Sequence, residues 1–299
     1  MSKYFNSTLK ARSGTAYDEI LKPVLQPEAA ENPPAELAPA ENAPISISSA
    51  ATPPVAPAAD PLAGCSQIVL PLDRMPHAQF RDGNSLEPAE ESYRALRTRL
   101  LRAQAAEGIR SVVITSALQG DGKTLTSLNL AMCCAQLHGM KILLVDGDVR
   151  NCGLTRAIDV PPGPGLAEVL AGQCDPKDVV LQTDRPNLYI VPSGVASTAP
   201  AELFASNRWH DFMAWSKQNF KLVVVDSPPV LSLSDVELIT TGCEGVLMVV
   251  RARYTNRQTL QKAAKQIDTK KLLGVVYNGV QEGSHHRYRY PGYGQYRKG

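Results

Sequence analysis

Val112-Val113-Ile114-Thr115-Ser116-Ala117-Leu118-Gln119-Gly120-Asp121-Gly122-Lys123-Thr124 runs from an apolar stretch of strand length, through a glycine-bearing turn, into a helical pattern. It fits the phosphate-binding loop, with Ala117 where the first glycine usually stands. Gly120 and Gly122 let the backbone turn so that successive N–H groups converge on phosphate oxygens. Lys123 places a point charge over the β- and γ-phosphates, and the Thr124 hydroxyl can ligate Mg²⁺. The helix that opens here directs its positive end at the anion. Gln119, Gly120, Asp121, Gly122, Lys123, Thr124 and Leu125 are therefore the candidate residues around a nucleotide. The alternative is an ordinary glycine-rich turn, and the position between an apolar strand and a helix tells against it.

Outward from this loop the pattern is regular. Apolar runs recur at Val112–Thr115, Ile142–Val145, Leu188–Val191, Leu222–Val225, Val246–Val250 and Leu273–Tyr277. They are continuous rather than alternating, as in strands buried on both faces. Helix-length segments at Thr124–His138, Ala201–Asn219, Leu233–Thr241 and Asn256–Ile267 separate most of them. This rhythm predicts an α/β P-loop NTPase fold, a mostly parallel sheet with helices on both faces.

Two of the strands end in acids, giving Asp146-Gly147-Asp148-Val149-Arg150 and Asp226-Ser227-Pro228-Pro229. Ligands of parallel sheets sit at the carboxyl ends of the strands, so both acidic ends should face the loop. Mg²⁺ takes oxygen ligands and keeps several waters, which makes Thr124, Asp146 and Asp226 its candidate ligands. Lys123, Asp146, Asp148 and Asp226 form the candidate catalytic set, one carboxylate holding metal while another orients or deprotonates a nucleophile. An Asp after a strand also serves as a helix cap or turn opener. That reading weakens when both acids follow a phosphate loop in order.

The chain has 299 residues, 43% hydrophobic, with a net charge of +2. That balance excludes a strongly basic nucleic-acid-binding protein on average. No apolar run approaches the roughly 18 residues that cross a bilayer, and the first residues lack the apolar core of a secretory signal. Six cysteines fall in no CxxC or zinc spacing, which favours a reduced, cytoplasmic protein. The adjacent Cys133 and Cys134 read as core packing. Ten of the 23 prolines lie between Pro23 and Pro61, among Ala, Ser and Glu. The expected organisation is a largely disordered Pro/Ala-rich extension over 1–86, a P-loop domain over 87–283 and a flexible tail over 284–299. The first 22 residues read as a solvated tail or a short docking segment.

SALQGDGKT, LLVDGDVR and VVVDSPP together resemble the Walker A, A′ and B motifs of the bacterial tyrosine kinases, cytoplasmic autokinases of capsule and exopolysaccharide synthesis. Partition and division-site ATPases of the ParA/MinD kind are the rival relatives. They carry a second lysine where this chain has Leu118, so a nucleotide-switch ATPase without kinase activity is the alternative function. Gly147 and Asp121 depart from the alanine and glutamate usual in the kinases. The resemblance implies ATP and Mg²⁺ as cofactors and Asn278 near the adenine, although an Asn before Gly279 also suits a turn. It implies a separate transmembrane polysaccharide co-polymerase as activator, recruitment to the inner face of the plasma membrane, and a cognate tyrosine phosphatase.

Glu91, Arg94 and Arg97 fall three apart in the helical pattern before the loop and read by themselves as a solvated charged row. They match the family's E-x-x-R-x-x-R signature, which implies a contact between neighbouring subunits of a ring. Tyr288, Tyr290, Tyr293 and Tyr296 crowd the last twelve residues, interleaved with Arg, Gly, Pro and Gln. Such a segment suits stacking on single-stranded nucleic acid, a featureless tail, or, as favoured here, phosphoryl acceptors for the next subunit's active site.

Overall fold

The computed structural model describes residues 4–9, 62, 64–80, 88–195, 199–232 and 235–280. In chain order the elements are β1 (Tyr4–Leu9), β2 (Ser66–Ile68), α1 (Pro88–Glu107), β3 (Ser111–Ser116), α2 (Lys123–Ala135), β4 (Ile142–Asp146), α3 (Gly153–Ala157), α4 (Leu166–Ala171), β5 (Leu181–Thr183), β6 (Leu188–Val191), α5 (Pro200–Ala205), α6 (Asn207–Asn219), β7 (Leu222–Asp226), α7 (Asp235–Thr241), β8 (Gly245–Arg251), α8 (Arg257–Ala264) and β9 (Leu272–Val280). The strands form one sheet in the order β1-β9-β8-β3-β7-β4-β6-β5-β2. Its centre, from β9 to β6, is parallel, whereas β1 runs antiparallel to β9 and β5 antiparallel to β6.

The continuous apolar runs are explained by the pleat. Val113, Leu143, Val145, Val223, Val225, Val246 and Met248 enter one core with Phe204, Trp209, Val236 and Leu260 from α5, α6, α7 and α8. Val112, Ile114, Ile142, Leu144, Leu222, Val224, Leu247 and Val249 enter the other with Leu96 and Leu100 of α1 and Leu128 and Leu130 of α2. Period-two alternation thus feeds two apolar faces instead of one, and each fully buried Val or Leu contributes about 1.5–3 kcal/mol. Cys133 and Cys134 are buried in the second core.

One expectation needs correction. The segment Ala201–Asn219 is not one helix, because Ser206 adopts extended backbone (φ −75°, ψ 154°) between α5 and α6. Described residues ahead of position 87 also join the sheet and the core. β2 pairs with β5, and Leu70, Leu72, Ala78 and Phe80 are buried. Asp184 accepts the Leu70 amide at 3.1 Å, Asn129 the Gln79 amide at 2.8 Å and Glu90 the Phe80 amide at 3.1 Å. Burial of Leu70, Leu72, Ala78 and Phe80 offsets the cost of ordering this segment. Of the expected Pro/Ala-rich linker over 23–64 only residues 62 and 64 are described, and the tail from 284 lies outside the described residues, as does Leu233 of the expected third helical segment.

Candidate active site

Gly122 is the N-cap of α2 in left-handed backbone (φ 95°), and a Cβ there would stand 2.1 Å from Asn278 Nδ2. No other residue type satisfies both constraints. Asn278 lies within β9, not after it, and its Nδ2 donates to the Asp121 carbonyl at 2.9 Å. It therefore pins the loop itself. Asp121 is fully buried. One carboxylate oxygen accepts the Leu118 amide at 3.0 Å, and the other accepts the Arg251 amide at 3.2 Å and the Thr255 hydroxyl. Asp121 thus braces the loop from behind with its side chain.

A second brace comes from the end of β8. Tyr254 Oη donates to the Gln119 carbonyl at 3.2 Å, and Arg251 Nη1 to the Gly120 carbonyl at 3.3 Å. The Arg251 guanidinium lies 5.7 Å from the centroid of the Tyr254 ring, which is 54% exposed. Nothing in the local sequence marks Tyr254 or Arg251. They reach the loop because β8 is the hydrogen-bonded neighbour of β3.

Asp146 and Asp226 are register partners at the carboxyl ends of β4 and β7, and both are fully buried. Asp226 Oδ1 accepts from Ser127 Oγ at 3.1 Å, while Oδ2 is buried without a hydrogen-bond partner. Burial pushes the Asp226 carboxyl up to about 7; Lys123 opposes the rise and Asp146 adds to it. Burial likewise pushes Asp146 up to about 6, against hydrogen bonds from Thr155 and with a contribution from Asp148. Asp146 Oδ2 accepts Thr155 N at 2.8 Å and Thr155 Oγ1 at 2.7 Å, and Oδ1 accepts Asp148 N at 3.2 Å. Asp148 Oδ1 accepts both the amide and Nδ2 of Asn151 at 3.1 Å. Gly147 permits this convergence: its N–H donates to the Asp226 carbonyl at 2.7 Å, and a Cβ would meet that oxygen at 2.8 Å.

Lys123 Nζ lies 3.4 Å from Thr124 Oγ1. A Cβ on Gly153 would stand 3.8 Å from the same hydroxyl, so the start of α3 adjoins it. Among the described residues no group of three or more His, Cys, Asp and Glu side chains could hold a metal by itself. A hydroxyl, a buried carboxylate oxygen without a donor and a nearby ammonium instead suit Mg²⁺ shared with phosphate and water. Thr124 and Asp226 fit that ion best, since Asp226 Oδ2 has no donor, whereas Asp146 Oδ2 accepts two bonds from Thr155 and only Oδ1, with a single donor, retains a lone pair. Thr155 and Ser127, which hold the two carboxylates, escaped the sequence reading, as did Arg150, whose Nε reaches buried Asp235 at 2.9 Å.

The charged row on α1 is not simply solvated. Arg94 reaches buried Glu90 at 2.8 Å and Glu91 at 3.5 Å, and its guanidinium lies 5.7 Å from the Phe80 ring centroid. Arg97 Nη1 donates to the Cys133 carbonyl at 2.7 Å. Both arginines fasten the domain internally, and Glu91 is the member that faces outward. Tyr288, Tyr290, Tyr293 and Tyr296 lie outside the described residues.

With this geometry in place, comparison with known proteins is specific. The AAA domain family matches residues 109–273. Tyrosine-protein kinase YwqD of Bacillus subtilis (strain 168) is 32% identical over 205 residues, covering 68% of this chain and 86% of the relative. The chimerical protein CapA2B2 superimposes with a TM-score of 0.62 at 29% identity, covering 71% of this chain and 92% of that one. The kinase domain of Escherichia coli tyrosine kinase ETK gives 0.61 at 28% identity, covering 69% and 81%. Phosphate loop, paired strand-end carboxylates and these likenesses agree: the chain belongs to the bacterial tyrosine-protein kinase family, built on an AAA domain.

Proposed function

We propose that this protein transfers the γ-phosphoryl group of ATP to tyrosine hydroxyls of its own C-terminal cluster, Tyr288, Tyr290, Tyr293 and Tyr296, presented by a neighbouring subunit in a ring. The observation that carries the proposal is the pairing of two raised, fully buried carboxylates beside Lys123 and Thr124. A free tyrosine hydroxyl has a pKa near 10 and needs a base at neutral pH. Asp146, raised to about 6, remains mostly ionised at pH 7 while its basicity approaches the working range. It accepts the hydroxyl proton as the tyrosine oxygen bonds to the γ-phosphorus and the bond to the β,γ-bridging oxygen breaks, releasing ADP. Asp148 orders the loop that carries Asp146. Lys123 and the amides of Gly120–Thr124 stabilise charge on the transferring group. Thr124 and Asp226 would hold Mg²⁺, which would neutralise charge on the phosphates.

The proposal extends to regulation of capsule or exopolysaccharide polymerisation and export, a reading that family membership supports, with a separate membrane-bound co-polymerase as activator and a tyrosine phosphatase resetting the tail. Each phosphate adds about −1.5 to −2 charge. Loading the tail therefore reverses the charge of Arg287, Arg289, Arg297 and Lys298 and loosens the ring. Among the described residues no helix is long and apolar enough to cross a membrane. The test incubates the protein with ATP, Mg²⁺ and an activator fragment and maps phosphate by mass spectrometry, with Lys123→Met as control. Phosphate on the tail tyrosines is expected. ATP hydrolysis with unmodified tyrosines would overturn the proposal in favour of a nucleotide-switch ATPase.

A further inference from the structure

From Arg251 to Lys271 the chain carries seven Lys and Arg against a single acid, Asp268, although the whole protein is only +2. The fold gathers this charge on one side. α8 turns Leu260, Ala263 and Ala264 into the core, which leaves its other face outward. Arg257, Lys262, Lys265 and Lys270 are exposed. None of the four forms an ion pair with a described residue. At the amino ends of β8 and β9 the face continues into a cavity of about 620 Å³, where His210, Lys217, Lys270 and Lys271 line the wall. Three acids share that wall, Glu107, Glu244 and Asp268, and two of them have partners within it. Glu244 pairs with Lys217 at 2.6 Å, and Asp268 accepts the Lys270 amide at 2.9 Å.

The register of β1 tethers a complementary segment near this place. Leu9 lies opposite Gly274, so the chain leaves β1 at the amino end of β9, beside the Lys270–Lys271 turn. Residues 23 to 72 hold Glu28, Glu31, Glu36, Glu41 and Asp60 and no Lys or Arg. The chain returns to the sheet as β2 on the opposite edge, about 38 Å away at roughly 4.8 Å per strand step. Residues 10 to 61 can extend over about 170 Å. The chain that leads to the acidic stretch therefore sets out from the foot of the basic face, and the 19 residues from Leu9 to Glu28, Lys10 and Arg12 among them, leave length to spare.

We propose that the acidic segment Glu28–Glu41 docks on the basic face formed by α8 and the Lys270–Lys271 turn, as an intramolecular polyanion that keeps other polyanions off it. Tethering gives it a local concentration on the order of millimolar. Exposed charges are screened beyond about 8–10 Å in physiological salt, so the contact is strongly salt-dependent.

A carbodiimide that joins carboxylates directly to amines tests this on the full chain, with ¹⁴N- and ¹⁵N-labelled protein mixed before reaction. At 20 mM salt, mass spectrometry should find links from Glu28, Glu31, Glu36 or Glu41 to Lys262, Lys265 or Lys270 within one isotopic copy. Their yield should fall at least tenfold at 0.5 M salt. Absent links, salt-independent links or links joining the two isotopic copies would each overturn the proposal. Replacing the four glutamates with Gln should also tighten binding of a short DNA duplex, or of vesicles containing phosphatidylserine, at least fivefold at 50 mM salt. Unchanged binding of both probes would show that the segment does not cover the face.

Discussion

Replacing Asp226 with Asn should stabilise the nucleotide-free protein at pH 8. Its carboxyl is fully buried, and burial raises it from 3.8 to about 7. Because the folded value lies above the unfolded one, the native state holds a proton that the unfolded chain has lost. The carboxylate's contribution is fully present below about pH 4, is lost progressively as pH rises and levels off above about pH 7. Some three units at about 1.36 kcal/mol each give an upper bound on the order of 4 kcal/mol. Relaxation around the neighbouring Lys123 and Asp146 reduces it, and at least about 2 kcal/mol is expected, a rise of about 4–8 °C in Tm for a domain of this size. Thermal unfolding followed by circular dichroism at pH 4.5, 6 and 8 measures it. The gap between variant and wild type should shrink towards zero at pH 4.5. Adding ADP and Mg²⁺ should reverse the order, because the wild type then gains a partner for the buried oxygen. An Asn variant no more stable than wild type at pH 8, or a gap independent of pH, would refute the assignment of Asp226 as a strained, cation-seeking carboxylate.

Thr155→Val removes a 2.7 Å hydroxyl donor from Asp146 but leaves the amide donor at 2.8 Å. Asp146 should rise further, moving the acidic limb of the pH–rate profile for tyrosine phosphorylation up by about 0.5–1 unit. Arg97→Ala removes the bond to the Cys133 carbonyl and should cost about 1.5–3 kcal/mol in chemical denaturation. Glu91→Arg, at a side chain 73% exposed, should change stability by less than about 0.5 kcal/mol. It should nonetheless lower the oligomer mass in light scattering if α1 forms the ring contact.

Much of the site was legible because its residues are local to strand ends. A phosphate loop needs glycine, lysine and threonine within a few positions, and β3, β4 and β7 announce themselves by unbroken apolar runs that end in Ser116, Asp146 and Asp226. β2 and β5, each three residues long, carry too few positions for periodicity to register. The strap from Cys65 to Phe80 was hidden by the proline-rich composition before it. The α1 arginines illustrate a different limit. Three-residue spacing places Arg94 and Arg97 along one side of a helix, but it cannot say that Phe80 and the carbonyl at Cys133 lie beneath them.

The amino-acid order alone determined the α/β class, the phosphate loop and the acids at the ends of two strands, because these depend on spacing within a few residues and on which strands are apolar throughout. Tertiary structure decided what each acid does. Asp121, Asp146 and Asp226 are the same residue type, yet one braces the loop, one is oriented by Thr155 and Asp148, and one keeps a buried oxygen without a donor. The strand order brings Arg251, Tyr254 and Asn278 to the loop across 130 to 157 residues of sequence. Desolvation and hydrogen-bond supply are properties of the packed environment, and no window of sequence contains them.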